Sequence, residues 1–263
     1  SSRAAVAHSI AMNRPLVSIF GCFAGLLLVL ALPLHAEVIK IYGSDQFPPV
    51  SYLKNGMPAG VFPTLLSRLE KETGDRYDVE LVPWARAIWM AQRGRGAVAN
   101  ISWTAERTKQ FDYSVPIYPA EVVLVVRKGR EFRFDSLDDL KGKVIGVGLS
   151  SSYRDEVDAA VARGDILIDP DPNQFNRMRK LLSGRTDGSF FGAGWIGVKW
   201  MVESTPEFRD RIDDFVVLPK VVAVDPLHLA IPKSMNKTEA LQRLNRAYTK
   251  LKERGELADL LPR

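Results

Sequence analysis

The chain predicts an α/β protein of two lobes, each a mostly parallel sheet flanked by helices, joined by two hinge crossovers. Two observations carry this expectation. Strand-like and helix-like segments alternate in two successive series, and alternation of that kind builds parallel sheets covered by helices. Between and after the series stand two long extended passages, near residues 118–127 and 219–230. A chain that crosses twice makes two lobes with a cleft between them. Such clefts hold ligands at strand ends and helix starts, and hinge motion buries them.

The elements follow in order. Val38 to Tyr42 reads as a strand, closed by Gly43-Ser44-Asp45 and the turn Phe47-Pro48-Pro49. A helix is expected from about Pro63, with Leu65, Leu66 and Leu69 on one face and Gly74 stopping it. Tyr77 to Val82 is the next strand, Pro83 opens a helix through Gln92, Ala97 to Ile101 is a short buried strand, and Thr104 is expected to cap a further helix. After the β-rich run Glu121–Val126, the second series places a strand at Lys143–Gly148 and helices at Ser151–Ala162 and Asn173–Ser183, the latter ended by Gly184. A strand at Asp187–Phe191 and the β-rich passage Phe215–Ile231 follow. The last helix, Lys237–Arg254, lines up Leu241, Leu244, Tyr248 and Leu251 on one side. The expected division is residues 1–36 as upstream residues and leader, 37–120 as the first part of lobe 1, 121–222 as lobe 2 with hinge strands at its ends, and 223–263 as the return to lobe 1.

The leader is read from Met12-Asn13-Arg14, the apolar stretch Leu16–Leu34, and the small Ala36 before the first acid, Glu37. That order is a secretory signal peptide with cleavage near Ala36, favoured over a membrane anchor by Pro33 and Ala36. Cys22 sits mid-way in the apolar stretch, which disfavours a lipoprotein. Removal takes Arg3 and Arg14 and no acid, so the formal charge falls from +5 to +3, too mild for a nucleic-acid partner. It also takes the one cysteine and two of the three histidines, leaving His228. Thiol nucleophiles, disulfides and His-rich zinc centres are thereby excluded, and neither metal nor organic cofactor is expected. His228 lies in a strand-like run, where a packed or surface histidine is the better account than a catalytic one.

Four segments in matching order carry a resemblance. They are Ser102–Tyr118 (SWTAERTKQFDYSVPIY), Leu140–Val147 (LKGKVIGV), Ser183–Asp187 (SGRTD) and Ala230–Lys233 (AIPK). Together they resemble the polar amino-acid-binding family of periplasmic solute-binding proteins, family 3, over nearly all of Glu37–Arg263. The resemblance implies the type II periplasmic-binding-protein fold, no catalytic residue, and a monomer that serves an inner-membrane ABC permease.

By itself, Arg107 reads as a surface arginine paired with Glu106 or Asp112, or as half of an anion site shared with a helix start. The resemblance favours the second and implies a bidentate pair with a ligand carboxylate, helped by Ser102 and the backbone near Asn100. It also implies aromatic walls from Phe47 and Trp84, either of which could equally be core packing. Arg86 adds positive potential near the same cleft or is a solvated helix residue. Ser151 and Ser152 match second-lobe carboxylate contacts, although a serine before a helix can equally be a cap. One departure stands out. Counting five residues from Asp187 reaches Gly192, where the family carries an acid for the ligand's α-ammonium. With no obvious cleft acid, a small organic anion is expected over a zwitterionic amino acid. The competing functions are a cyclohexadienyl dehydratase-like enzyme on the same fold, for which Glu121 and Asp225 in the crossovers are the open acids, and a free-standing ligand sensor. A membrane-bound sensor would be expected to continue past Arg263.

Overall fold

The computed structural model describes residues 36–261; the expected leader lies outside them. Five strands form the sheet of the first lobe: β1 (Val38–Ser44), β5 (Arg76–Val82), β6 (Ala97–Ser102), β7 (Phe111–Tyr113) and β13 (Ala223–Pro232). Between β1 and β5 come a small three-stranded sheet, β2 (Gln46–Phe47), β3 (Ser51–Lys54) and β4 (Met57–Ala59), and helix α1 (Val61–Thr73). Helix α2 (Trp84–Gln92) follows β5, and α6 (Thr238–Glu253) closes the described fold. The second lobe holds β8 (Tyr118–Arg127), β9 (Val144–Gly148), α3 (Asp155–Ala162), β10 (Leu167–Asp171), α4 (Gln174–Leu182), β11 (Gly188–Phe191), α5 (Gly194–Ser204) and β12 (Phe215–Val217).

The two sheets repeat one plan. The first runs β5-β1-β6-β13-β7 and the second β10-β9-β11-β8-β12. In each, the first three strands are parallel, the fourth returns antiparallel, and the fifth pairs antiparallel with the fourth and so runs with the first three. The antiparallel members are the extended passages. β8 and β13 pair directly, from Ala223 opposite Val122 to Leu227 opposite Tyr118, and stitch the sheets together. Along β8, Val122, Leu124 and Val126 enter one apolar cluster while Val123 and Val125 enter the cluster on the other face. A strand covered on both sides reads as an unbroken apolar run, which is why β8 shows no alternation.

In the first lobe, α1 buries Phe62, Leu65, Leu66 and Leu69 and stops at Gly74, whose φ of 76° is left-handed. α6 lays Leu241, Leu244, Tyr248 and Leu251 into the same core. Two helix starts differ from the sequence expectation. Thr104 caps only a 3-10 turn, Arg107–Lys109, with its hydroxyl 3.2 Å from Arg107 N–H; Phe111 is already drawn into β7 beside β13. The helix expected from Ser151 begins at Asp155, because Asp158 in its first turn reaches back to the Ser152 hydroxyl and the Tyr153 N–H and holds those residues as a loop.

Candidate functional site

The chain between the lobes is held by side chains of one gripping backbone of the other. From the first lobe, Trp84 Nε1 donates to Ser150 O at 3.1 Å, Arg107 Nη2 to the same carbonyl at 3.2 Å, and Ser102 Oγ lies 3.2 Å from Ser152 O. On the opposite rim, Gln174 N–H donates to Gln46 Oε1 at 3.1 Å and its amide reaches Gln46 O. Tyr52 packs against Trp200 with ring centroids 4.7 Å apart and the planes tilted by 51°.

Inside these contacts lies a cavity of about 100 Å³. Seven of the nine expected residues are on its wall: Phe47, Trp84, Asn100, Ser102, Ser151, Ser152 and Gly192. Arg86 is not; it is exposed on α2. Arg107 is also off the wall, with Nη1 on Ser102 O at 3.1 Å and Nη2 on Ser150 O. Burial pulls its pKa down from the ordinary value. The Ser151 and Ser152 loop does not present a helix start, since α3 begins at Asp155. At Gly192 a β-carbon would stand 3.5 Å from the Phe47 ring, an ordinary van der Waals contact.

The cleft, expected to show no obvious acid, holds one of the two acids left open in the crossovers. Asp225, on the return strand β13, is 4% exposed and lies on the cavity wall. Its Oδ2 accepts from Ser102 Oγ at 2.6 Å, a bond between residues far apart in sequence. Desolvation raises its pKa, opposed by the Ser102 hydrogen bond and by the fields of Arg154, Arg107 and His228. Arg177 on α4 is a wall residue that residue-type reasoning missed. It was indistinguishable from its helical neighbours Arg179 and Lys180, yet it is 4% exposed. Tyr153 and Gln174 also line the wall.

The polar groups are incompletely paired. Both amide atoms of Asn100, which is held at φ 56°, and Nε of Arg177 are buried without a hydrogen-bond partner. Unpaired buried polar atoms cost about 1–3 kcal/mol each, so their concentration on one wall calls for a bound partner. Asp45 Oδ1 is likewise unpaired, but Asp45 is not among the wall residues. Among the described residues there is no group of three or more His, Cys, Asp or Glu side chains placed to hold a metal, and no helix long and apolar enough to cross a membrane.

The Asp225 shift has a testable sign. A carboxyl whose folded pKa lies above its unfolded value of about 3.9 binds its proton more tightly when folded, so its contribution to stability is full below that value and is lost as pH rises through the folded pKa. Asp225→Asn removes the ionisation. Denaturant melts across pH 3.5–7 are expected to show the variant gaining on the wild type as pH rises; a constant or shrinking difference would contradict a raised pKa.

The sequence profile of the bacterial extracellular solute-binding proteins, family 3, matches residues 39–263. The chain belongs to that family. Among curated relatives, the L-cystine-binding protein TcyJ of Escherichia coli (strain K12) is 28% identical over 137 residues, 51% of this chain. That match spans about half of the relative, 52% of its length. The putative ABC transporter arginine-binding protein 2 of the same strain is 28% identical over 230 residues, covering 84% of this chain and 87% of the relative. Among solved structures, an ancestral arginine-binding protein bound to glutamine matches with a TM-score of 0.69 and 26% identity, covering 85% of this chain and 95% of the other. A histidine kinase sensor domain similar to periplasmic binding proteins matches with a TM-score of 0.72 at 19% identity, covering 85% and 93%, a likeness of fold alone. The family is one of solute-binding proteins, and the relatives are named as binding proteins.

Proposed function

We propose that the protein works in the periplasm, freed of a leader ending near Ala36, where it binds a small carboxylate-bearing metabolite in the interlobe cavity and presents it to an inner-membrane ABC permease. The observation that carries this reading is the set of buried, unpaired polar atoms supplied to one cavity from both lobes, Asn100 from the first and Arg177 from the second. A ligand that pairs with both can hold the lobes together, so occupancy and closure become one equilibrium. The cavity is small beside the ~300–1,000 Å³ of drug-sized pockets, which suits a metabolite of amino-acid size or less. Asp225 removes the reason for preferring ligands without an amino group: it offers an ammonium the carboxylate that Gly192 lacks. Relatives named for cystine and arginine make amino acids the first ligands to try.

The test is a thermal-shift screen of residues 37–263 against amino acids and small hydroxy and dicarboxylic acids. A ligand at ~100 times its Kd is expected to stabilise by about 2.7 kcal/mol. No shift from any of these would defeat the reading.

A second reading has one observation in its favour. Asp225 is a buried acid with a raised pKa on the cavity wall, the property a general acid needs. A dehydratase-like activity would show as turnover of prephenate or arogenate that Asp225→Asn abolishes.

A further inference from the structure

We infer that the outer face of α2 is a contact surface for anionic phospholipid, holding the protein loosely against a bilayer. This goes beyond the solute-binding reading and does not depend on what the cavity holds. From Leu81 through Ala105 the chain carries no Asp or Glu, but it does carry Arg86, Arg93 and Arg95. Helical geometry gathers them. α2 turns Ala87, Ile88 and Ala91 into the first lobe, so Arg86, Trp89 and Arg93, spaced i, i+3 and i+7, share the outward face. Arg95 joins them from the turn that follows. All four side chains are exposed, Trp89 by 43%. The guanidinium carbon of Arg93 lies 3.9 Å from the centroid of the Trp89 ring, and that of Arg95 lies 5.9 Å from it.

The carboxylates at the border of this patch are already engaged. Lys40, packed beside Gly96, holds Asp78 at 3.1 Å and Glu80 at 2.8 Å. Lys233, next to the Ser234 that packs on Gly94, holds Asp112 at 2.6 Å. Arg86, Arg93 and Arg95 make no ion pair among the described residues. Such a face matches a plane of phosphates. Each guanidinium can fork across phosphate oxygens, and the long stems let charges on a curved helix reach a flat surface. The indole settles at headgroup level, where an apolar ring with one polar edge is most at home. An aromatic anchor for a protein partner sits at the dry centre of its interface, whereas Trp89 is ringed by charge, which favours lipid. Because α2 spends its apolar side on the core, attachment is electrostatic, reversible and sensitive to salt. Residence there confines the carrier to the plane in which a membrane partner is met.

Co-sedimentation of the leader-free protein with lipid vesicles tests this. Vesicles of phosphatidylglycerol and phosphatidylcholine in equal parts should carry the protein down at low salt. Pure phosphatidylcholine, or about 0.5 M salt, should leave it in solution. Arg93→Gln combined with Arg95→Gln should weaken binding by about tenfold or more. Lys128→Gln combined with Arg130→Gln, at exposed positions of the second lobe, should leave it unchanged. A second readout needs no arginine variant to fold: brominated lipid should quench wild-type tryptophan fluorescence, and Trp89→Phe should lose that quenching. No binding to the anionic vesicles, equal binding to neutral ones, or equal loss in the two double variants overturns the assignment. Binding confined to native inner-membrane vesicles and abolished by protease also overturns it, and gives the patch to a protein partner.

Discussion

Replacing Gly197 with leucine is expected to weaken ligand binding by about tenfold to a hundredfold. Gly197 lies in α5 of the second lobe, and a β-carbon there would stand 2.8 Å from the carbonyl oxygen of Pro48 in the first. The tilted pair of Tyr52 and Trp200 lies at the same boundary, Trp200 one helical turn on from Gly197 in α5. Overpacking of this kind costs about 1–3 kcal/mol, and because the obstruction comes from the opposite lobe, that cost falls on the closed arrangement. The same β-carbon would also stand 2.6 Å from Ala193 Cβ within the second lobe, so a modest fall in melting temperature accompanies the loss of affinity. Ligand titration with small-angle scattering separates the two effects. The variant should scatter as a more open particle in the presence of ligand. Unchanged affinity would mean that binding does not bring Pro48 and α5 together.

Phe190→Ala should cost about 3–5 kcal/mol of stability, the largest folding effect among the substitutions considered. Phe190 is 0% exposed on β11 and meets Tyr153 edge-on at 5.2 Å. It shares its cluster with Val122, Leu124, Ile145 and Val147. Removal of the ring leaves a cavity that strands of the sheet cannot collapse to fill, and in a protein of this size the melting temperature should fall by about 10 °C. Ile196→Ala, at a side chain 62% exposed on α5, is the control and should stay within about 0.5 kcal/mol of wild type. Equal effects at the two positions would show that β11 is not part of a packed core.

The features that escaped sequence reading have identifiable physical causes. Helix α5 carries Gly194 and Gly197, residues that disfavour helix and mark turns, and the need for glycine at 197 comes from Pro48 across the lobe boundary. Strand β10 includes Pro170, which a strand tolerates at a sheet edge, and β10 is the edge. Ser151 and Ser152 look like the start of a helix by composition, but Asp158 captures Ser152 and Tyr153 first. Arg177 occupies a helix whose other basic residues, Arg179 and Lys180, end in surface or partly buried ion pairs. Only the packing of α4 against β11 separates them.

By itself, then, the chain determined what local chemistry can determine: where apolar runs form β1, β8 and β13, where leucines recur at helical spacing in α1 and α6, and which short segments match a family of binding proteins. Those signals lie within a few residues of one another and survive in one dimension. The tertiary structure alone decided which polar groups share the cavity. Asp225 meets Ser102 and Arg177 faces the same space as Asn100 only because β8 and β13 pair and fold the two sheets toward each other. Burial, which turns an ordinary aspartate and an ordinary arginine into a desolvated acid and a desolvated cation, is a property of that approach and not of either residue's neighbours in sequence.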